Sequence, residues 1–159
     1  MQRFLLVLCL LAGAANAAAK ELHLFVPGSI KEIVASRQGK PFILGLWSLT
    51  CIHCRDELSM LSGLKKKYPA LDLVLVSTDT PADGAEILAT LQQLALGQAQ
   101  AWVFTDDFVE RLRFEIDPKW HGELPRTYLF DASGSRAFSG KTDPRQVESW
   151  IGATRSQLK

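Results

Sequence analysis

Two cysteines separated by two residues stand out chemically, in the segment Cys51-Ile52-His53-Cys54. Thiol–disulfide exchange needs a thiolate that attacks a disulfide and a second thiol nearby that resolves the mixed disulfide. A structural disulfide usually closes a longer loop, because its stabilising effect grows with loop length. The spacing therefore favours redox chemistry, with Cys51 as the attacking thiol and Cys54 as the resolving one.

The start of the chain has the pattern of a secretory signal. A basic residue, Arg3, precedes an apolar run over residues 4–14, and Ala15-Asn16-Ala17 matches a small-residue cleavage site. We expect cleavage after Ala17, which leaves one domain over residues 18–159. The apolar run is shorter than the roughly 20 residues of a membrane-spanning helix, so no stable membrane anchor is expected after cleavage.

Cleavage would also change the cysteine count and the charge. Cys9 leaves with residues 1–17, so Cys51 and Cys54 become the two remaining cysteines in a compartment where disulfides persist. Arg3 is one of 18 basic residues, and its loss leaves 17 against 17 acidic ones. This balance gives no indication of nucleic acid as a partner.

A strand and a helix are predicted to position the cysteine pair. Residues 41–47 form a continuous apolar run, typical of a strand buried on both faces. Leucines at helical spacing follow, and Tyr68-Pro69 ends them, which predicts a helix from about Cys51 to Lys67. The unpaired N–H groups of a helix N-terminus lower the pKa of a cysteine placed there.

The remaining patterns predict an α/β domain. Further helices are expected after Ser29, over residues 81–96 and 106–116, and after Asp143-Pro144. Further strands are expected over residues 22–26, 71–76, 102–104, 124–130 and 136–138. The order β-α-β-α-β-α-β-α-β-β-α implies a mixed central sheet flanked by helices, with an antiparallel C-terminal hairpin.

Two segments resemble a known family. Residues 42–58 look like the strand and active-site segment of TlpA/ResA-like bacterial thioredoxins, and residues 122–134 are similar to the cis-proline strand and following turn of that family. The resemblance covers roughly residues 22–157. It implies a thioredoxin-like fold with a family-specific helix and strand inserted over residues 81–102. It also implies a periplasmic thiol:disulfide oxidoreductase that needs no cofactor beyond its Cys51–Cys54 disulfide.

The same resemblance implies roles for several residues. Pro125 should be cis and face Cys51, and the backbone of Leu124 should pair with an extended substrate segment. Trp47 and Thr50 complete the expected substrate-binding set. The implied partners are proteins with thiols or disulfides and a membrane thiol–disulfide electron donor.

Three residues bear on the direction of electron flow. Gly45 stands where cytoplasmic thioredoxins carry a buried aspartate, so that proton relay is absent. Glu57 matches a glutamate of ResA-like members and is either a proton acceptor or a helix-terminal carboxylate stabilised by the dipole. A protonated His53 would favour the Cys51 thiolate and an oxidising pair; the alternative is an exposed loop histidine with little effect. The family resemblance favours a reductant, serving cytochrome c maturation or copper-site cysteines.

A binding protein of the same fold is the alternative. Copper chaperones with this fold hold the metal through two cysteines and a distant histidine, here Cys51, Cys54 and His121. That family places three residues between its cysteines, whereas this chain has two. We therefore predict an enzyme without a metal site.

Overall fold

The computed structural model describes residues 21–105 and 109–157. The predicted signal segment and residues 106–108 lie outside this part. The strands are β1 (Leu22–Phe25), β2 (Phe42–Trp47), β3 (Leu73–Ser77), β4 (Gln100–Phe104), β5 (Arg126–Asp131) and β6 (Gly134–Ser139). The α-helices are α1 (Ser29–Arg37), α2 (Cys54–Lys67), α3 (Gly84–Gln93), α4 (Val109–Ile116) and α5 (Pro144–Thr154). Their order is the predicted one.

The six strands form one mixed sheet in the order β1-β4-β3-β2-β5-β6. The first four are parallel to one another, whereas β5 runs antiparallel to both β2 and β6. The predicted mixed sheet and C-terminal hairpin are therefore confirmed. Strand β2 lies inside the sheet, between β3 and β5, which explains its continuous apolar sequence.

Two apolar clusters cover the two faces of the sheet. Alternate residues of β2 point to opposite faces, so Ile43 and Trp47 enter one cluster and Leu44 and Leu46 the other. The first cluster contains apolar side chains of α2, α3 and α5, and the second contains those of α1 and α4. Strand β2 is thus held from both sides, and so is the turn that follows it. Among the described helices, none is long and apolar enough to cross a membrane.

Several predicted boundaries differ from the observed ones: the strand expected over residues 71–76 is Leu73–Ser77, and the one expected over residues 102–104 begins at Gln100. Three further boundaries were also wrong. The helix expected from Cys51 begins at Cys54, because the N–H groups of Leu49 and Thr50 bind side-chain oxygens and hold the chain in a turn. The helix expected over residues 81–96 is a short 3-10 turn, Pro81–Asp83, followed by α3. The strand expected from residue 124 begins at Arg126, after a proline that has no N–H to donate.

Candidate functional site

Cys51 and Cys54 form a disulfide at the entrance to α2. Cys54 is the first residue of the helix and is fully buried, whereas Cys51 lies in the preceding turn and is partly exposed. An incoming thiolate can therefore reach the sulfur of Cys51 more readily than that of Cys54. This asymmetry fits the predicted roles of attacking and resolving thiol.

The two residues between the cysteines face solvent. Ile52 is 84% exposed, which places an apolar side chain beside the disulfide. His53 is also exposed and is the N-cap residue of α2, although its side chain makes no capping hydrogen bond. Its carbonyl oxygen accepts a hydrogen bond from the N–H of Glu57 at 3.3 Å. The predicted tuning role of His53 stays a prediction.

Asp79 holds the turn that leads to Cys51, and the sequence analysis did not single it out. Its Oδ1 accepts a hydrogen bond from Ser48 Oγ at 2.7 Å. Its Oδ2 accepts from the N–H of Leu49 at 2.8 Å and from Ser77 Oγ at 2.6 Å. Asp79 follows β3, the parallel neighbour of β2, and the carboxyl ends of such strands meet at one edge of the sheet. Its position just after β3 was therefore the feature of the sequence that could have identified Asp79.

Glu57 is a buried carboxylate one helical turn after Cys54. Its side chain is 4% exposed. Its Oε1 accepts a hydrogen bond from the hydroxyl of Thr127 at 2.8 Å, and its Oε2 accepts one from the N–H of Thr142 at 2.9 Å. Residues three apart in a helix are neighbours on its surface, so Glu57 lies close to Cys54. Glu57 is thus both a first-turn carboxylate of α2 and a hydrogen-bond acceptor inside the core, and its role as proton acceptor stays a prediction.

Gly45 lies on the same face of the sheet as Glu57 and leaves little room for a side chain. It pairs with Thr127 across β2 and β5. A Cβ atom at this position would lie 3.1 Å from Leu75 Cδ2 and 3.5 Å from Leu61 Cδ1. The polar group near the cysteines is therefore supplied from α2 and β5 by Glu57 and Thr127, and not from position 45.

The segment before β5 approaches the end of β2. The register places Leu46 opposite Arg126, so the preceding Pro125 lies near the point where β2 leads into the turn before Cys51. The Leu124–Pro125 peptide bond is cis, as the resemblance implies. Leu124 packs against the same apolar cluster as Cys51. The fold thus brings together the two segments that the sequence analysis placed at the site.

A charged cluster fixes this cis-proline segment. Arg126 donates two hydrogen bonds: Nη2 to Asp117 Oδ2 at 2.7 Å, and Nε to the hydroxyl of Tyr128 at 3.0 Å. The Tyr128 hydroxyl in turn donates to Asp117 Oδ2 at 3.2 Å. Burial is the main cause that raises the pKa of Tyr128 to about 12. Burial also opposes ionisation of Asp117, but hydrogen bonds from Lys119 N–H, Arg126 and Tyr128 outweigh it and lower the pKa of Asp117. The sequence analysis did not find this cluster.

The remaining predicted residues lie at different depths. Trp47 is 3% exposed and packs with Cys54 in the core, whereas Thr50 is exposed and its hydroxyl lies 3.0 Å from Ser48 Oγ. His121 is exposed, and its N–H donates to Glu123. Over residues 21–105 and 109–157, no three His, Cys, Asp or Glu side chains form a group that could hold a metal ion. The structure thus does not assemble the copper site of the alternative prediction.

The fold matches solved structures of thioredoxin-like proteins. A secreted Mycobacterium tuberculosis disulfide oxidoreductase homologous to E. coli DsbE superposes with a TM-score of 0.58 at 23% identity, over 75% of this chain and 85% of that one. A thioredoxin-family thiol:disulfide interchange protein from Chlorobium tepidum superposes with a TM-score of 0.58 at 16% identity, over 79% of this chain and 84% of that one. A putative thioredoxin from Neisseria meningitidis superposes with a TM-score of 0.55 at 16% identity, over 77% of this chain and 79% of that one.

Sequence comparison alone finds no relative. No protein-family model matches the chain, and no curated protein is significantly similar to it. The structural matches establish the thioredoxin-like fold that the sequence analysis predicted.

Proposed function

We propose that the protein is an exported thiol:disulfide oxidoreductase that exchanges disulfides with protein substrates through Cys51 and Cys54. The observation that carries this proposal is the disulfide between a partly exposed Cys51 and a buried Cys54 at the entrance to α2. The structurally similar Mycobacterium tuberculosis protein is described as a secreted disulfide oxidoreductase, which supports both the chemistry and the export. Periplasmic export agrees with the signal pattern of residues 1–17.

The reaction begins from the dithiol form. The Cys51 thiolate attacks a substrate disulfide, so that a Cys51–substrate bond forms and the first substrate thiolate leaves. Cys54 then loses its proton and attacks Cys51 Sγ, which forms the Cys51–Cys54 disulfide and releases the second substrate thiolate. Two electrons have passed to the substrate, and a membrane thiol–disulfide donor returns them. Glu57 is the group placed to accept the Cys54 proton, because its carboxylate is buried one helical turn away.

The remaining site residues bind the substrate or influence the cysteine pair. Pro125 lies beside the end of β2, from which the chain turns toward Cys51. We expect it to face Cys51, and Leu124 offers its backbone to an extended substrate segment as an added strand. Thr50 and the exposed Ile52 contact the substrate beside the disulfide. Trp47, which was predicted to bind substrate, is instead buried and packs with Cys54 in the core. His53 adds positive charge near Cys51 when it is protonated, and thereby tunes the equilibrium.

We propose that electrons flow from this protein to its substrates, the cysteines of apocytochromes or of copper sites. The equilibrium of the Cys51–Cys54 pair with glutathione tests this direction. A reduction potential well below about −220 mV is expected for a reductant, whereas a value near the roughly −120 mV of a strong oxidant would contradict it.

The cysteine roles are tested by substitution and trapping. Cys51→Ser should abolish insulin reduction, because the attacking thiol is lost. Cys54→Ser should accumulate mixed disulfides on Cys51, which mass spectrometry of the trapped partners identifies. If neither substitution alters insulin reduction or trapping, the proposed catalysis is wrong. N-terminal sequencing of the exported protein should begin at Ala18.

A further inference from the structure

Asp79 is the carboxylate that contacts the turn before Cys51 most directly. It accepts hydrogen bonds from Ser48 and Leu49 of that turn and from Ser77 at the end of β3. Its own N–H donates to Ser77 Oγ at 3.0 Å, so carboxylate and backbone are both fixed. The position of Asp79 is therefore set by β3, and the position of the turn is set by Asp79.

A short path of hydrogen bonds joins Asp79 to Cys51. Ser48 Oγ donates to Asp79, and the carbonyl oxygen of Ser48 accepts from the N–H of Cys51 at 3.2 Å. The hydroxyl of Thr50 lies 3.0 Å from the same Ser48 Oγ. One serine thus connects the carboxylate to the backbone of the attacking cysteine.

The carboxylate of Asp79 is stabilised by neutral hydrogen-bond donors. Hydroxyl and amide groups supply the three hydrogen bonds to its oxygens, and an ionised carboxylate accepts but does not donate. In the part of the chain that the structure describes, the salt bridges involve other carboxylates. Dipoles stabilise the anion without cancelling its net charge, so its field still acts on nearby groups.

We propose that Asp79 is a positioning residue for the redox pair, and that its negative charge disfavours the Cys51 thiolate and shifts the Cys51–Cys54 couple toward the disulfide. A group that destabilises the reduced form lowers the reduction potential, which is the direction a reductant needs. The inference rests on the proposed function and adds a cause for its direction. The negative charge of Asp79 and a protonated His53 would act on the Cys51 thiolate in opposite directions.

The test measures the equilibrium constant with glutathione and the pKa of the Cys51 thiol in the full mature chain. Asp79→Asn removes the charge and keeps one acceptor oxygen. We expect about a tenfold shift toward the dithiol, equivalent to about 30 mV, together with a lower Cys51 pKa. Asp83→Asn is the matched control, because Asp83 binds Thr80 on the same segment. It should leave both quantities within twofold of the wild type.

A second variant has the opposite expected sign. Ser77→Ala removes one donor to the carboxylate, so the charge is less well compensated and the couple should shift further toward the disulfide. The Ser77→Ala variant tests the effect of the Asp79 charge even if Asp79→Asn does not fold. The proposal would be overturned by an equilibrium constant of Asp79→Asn with glutathione within twofold of the wild-type value, or by a shift of Ser77→Ala toward the dithiol.

Failure of this inference is distinct from failure of the proposed function. The proposed catalysis is judged on Cys51→Ser and Cys54→Ser, and its direction on the potential of the wild type. The role of Asp79 is judged on changes relative to the wild type. A strongly oxidising wild type whose Asp79→Asn variant shifts about tenfold toward the dithiol would contradict the reductant and support the role of Asp79.

Discussion

Two irregular segments meet at the end of β2, and they are held in place by different chemistry. The turn before Cys51 is tied to Asp79 by neutral hydroxyl and amide donors. The cis-proline segment is tied by the ion pair of Arg126 and Asp117, with Tyr128 bonded to both. The first arrangement leaves the carboxylate of Asp79 without a cationic partner among the described residues, whereas the second pairs Arg126 with Asp117 at 2.7 Å and with Glu123 at 3.4 Å. We therefore expect changes at Asp79 to alter redox chemistry and changes around Arg126 to alter mainly stability.

Loss of Arg126 should have the largest effect on stability. Its side chain is 11% exposed, and Arg126→Ala leaves Asp117 and Tyr128 half-buried without their shared guanidinium. Breaking a buried pair costs about 3 kcal/mol in the free energy of unfolding, which chemical denaturation measures. The reduction potential should stay near the wild-type value.

The control for Arg126 is an exposed ion pair. Arg145 bonds Asp143 with a side chain that is 89% exposed, so Arg145→Ala should lower the free energy of unfolding far less than Arg126→Ala does. Equal losses in the two variants would contradict the assignment of the stabilising role to the Arg126 cluster.

A glycine in the cis-proline segment should show the next largest effect. Gly122 has a φ of +104°, and a Cβ there would lie 2.9 Å from Cζ of Arg113. Gly122→Ala therefore combines backbone strain with a clash and should cost about 2 kcal/mol in the free energy of unfolding. Gly140 has a φ of +75° and open space around it, so Gly140→Ala reports strain alone. Equal losses at Gly122 and Gly140 would mean that Arg113 moves away freely and that the clash adds nothing to the backbone strain.

A smaller change in stability is expected in the Cys51 turn. Ser48→Ala removes the hydroxyl that joins Asp79 to the turn but keeps the carboxylate, and should cost about 1 kcal/mol. The equilibrium with glutathione should shift toward the disulfide, as for Ser77→Ala, because the Asp79 carboxylate again loses one hydroxyl donor. A shift toward the dithiol would show that position, and not charge, carries the effect of Asp79.

Acid should weaken the cis-proline segment gradually. The pKa of Asp117 is lowered in the folded protein, so its stabilising contribution is complete above the ordinary aspartate pKa of 3.8 and is lost as the pH falls below it. The difference in unfolding free energy between wild type and Asp117→Asn should therefore be constant near neutral pH and shrink in acid. A difference that grows on acidification would contradict the lowered pKa.

Local patterns in the sequence were sufficient for the order of elements. The apolar run of β2 predicts a buried strand because both of its faces are covered, and β5 and β6 are separated by a recognisable turn. The pairing of Cys51 with Cys54 was also predictable, because the two cysteines are only two residues apart. Boundaries were less predictable: α2 begins at Cys54 because Asp79, distant in the sequence, binds the N–H of Leu49.

The Cys51-Ile52-His53-Cys54 motif, the thioredoxin-like order of elements and the position of Pro125 were thus determined by the sequence itself. Only the tertiary structure decided the surroundings of the cysteines. Glu57 is a buried acceptor because Thr127 and Thr142, far along the chain, donate to it, and Asp79 reaches the turn because β3 lies beside β2. The physical reason is that hydrogen bonds and electric fields act between groups that folding brings together, and sequence spacing does not encode those distances.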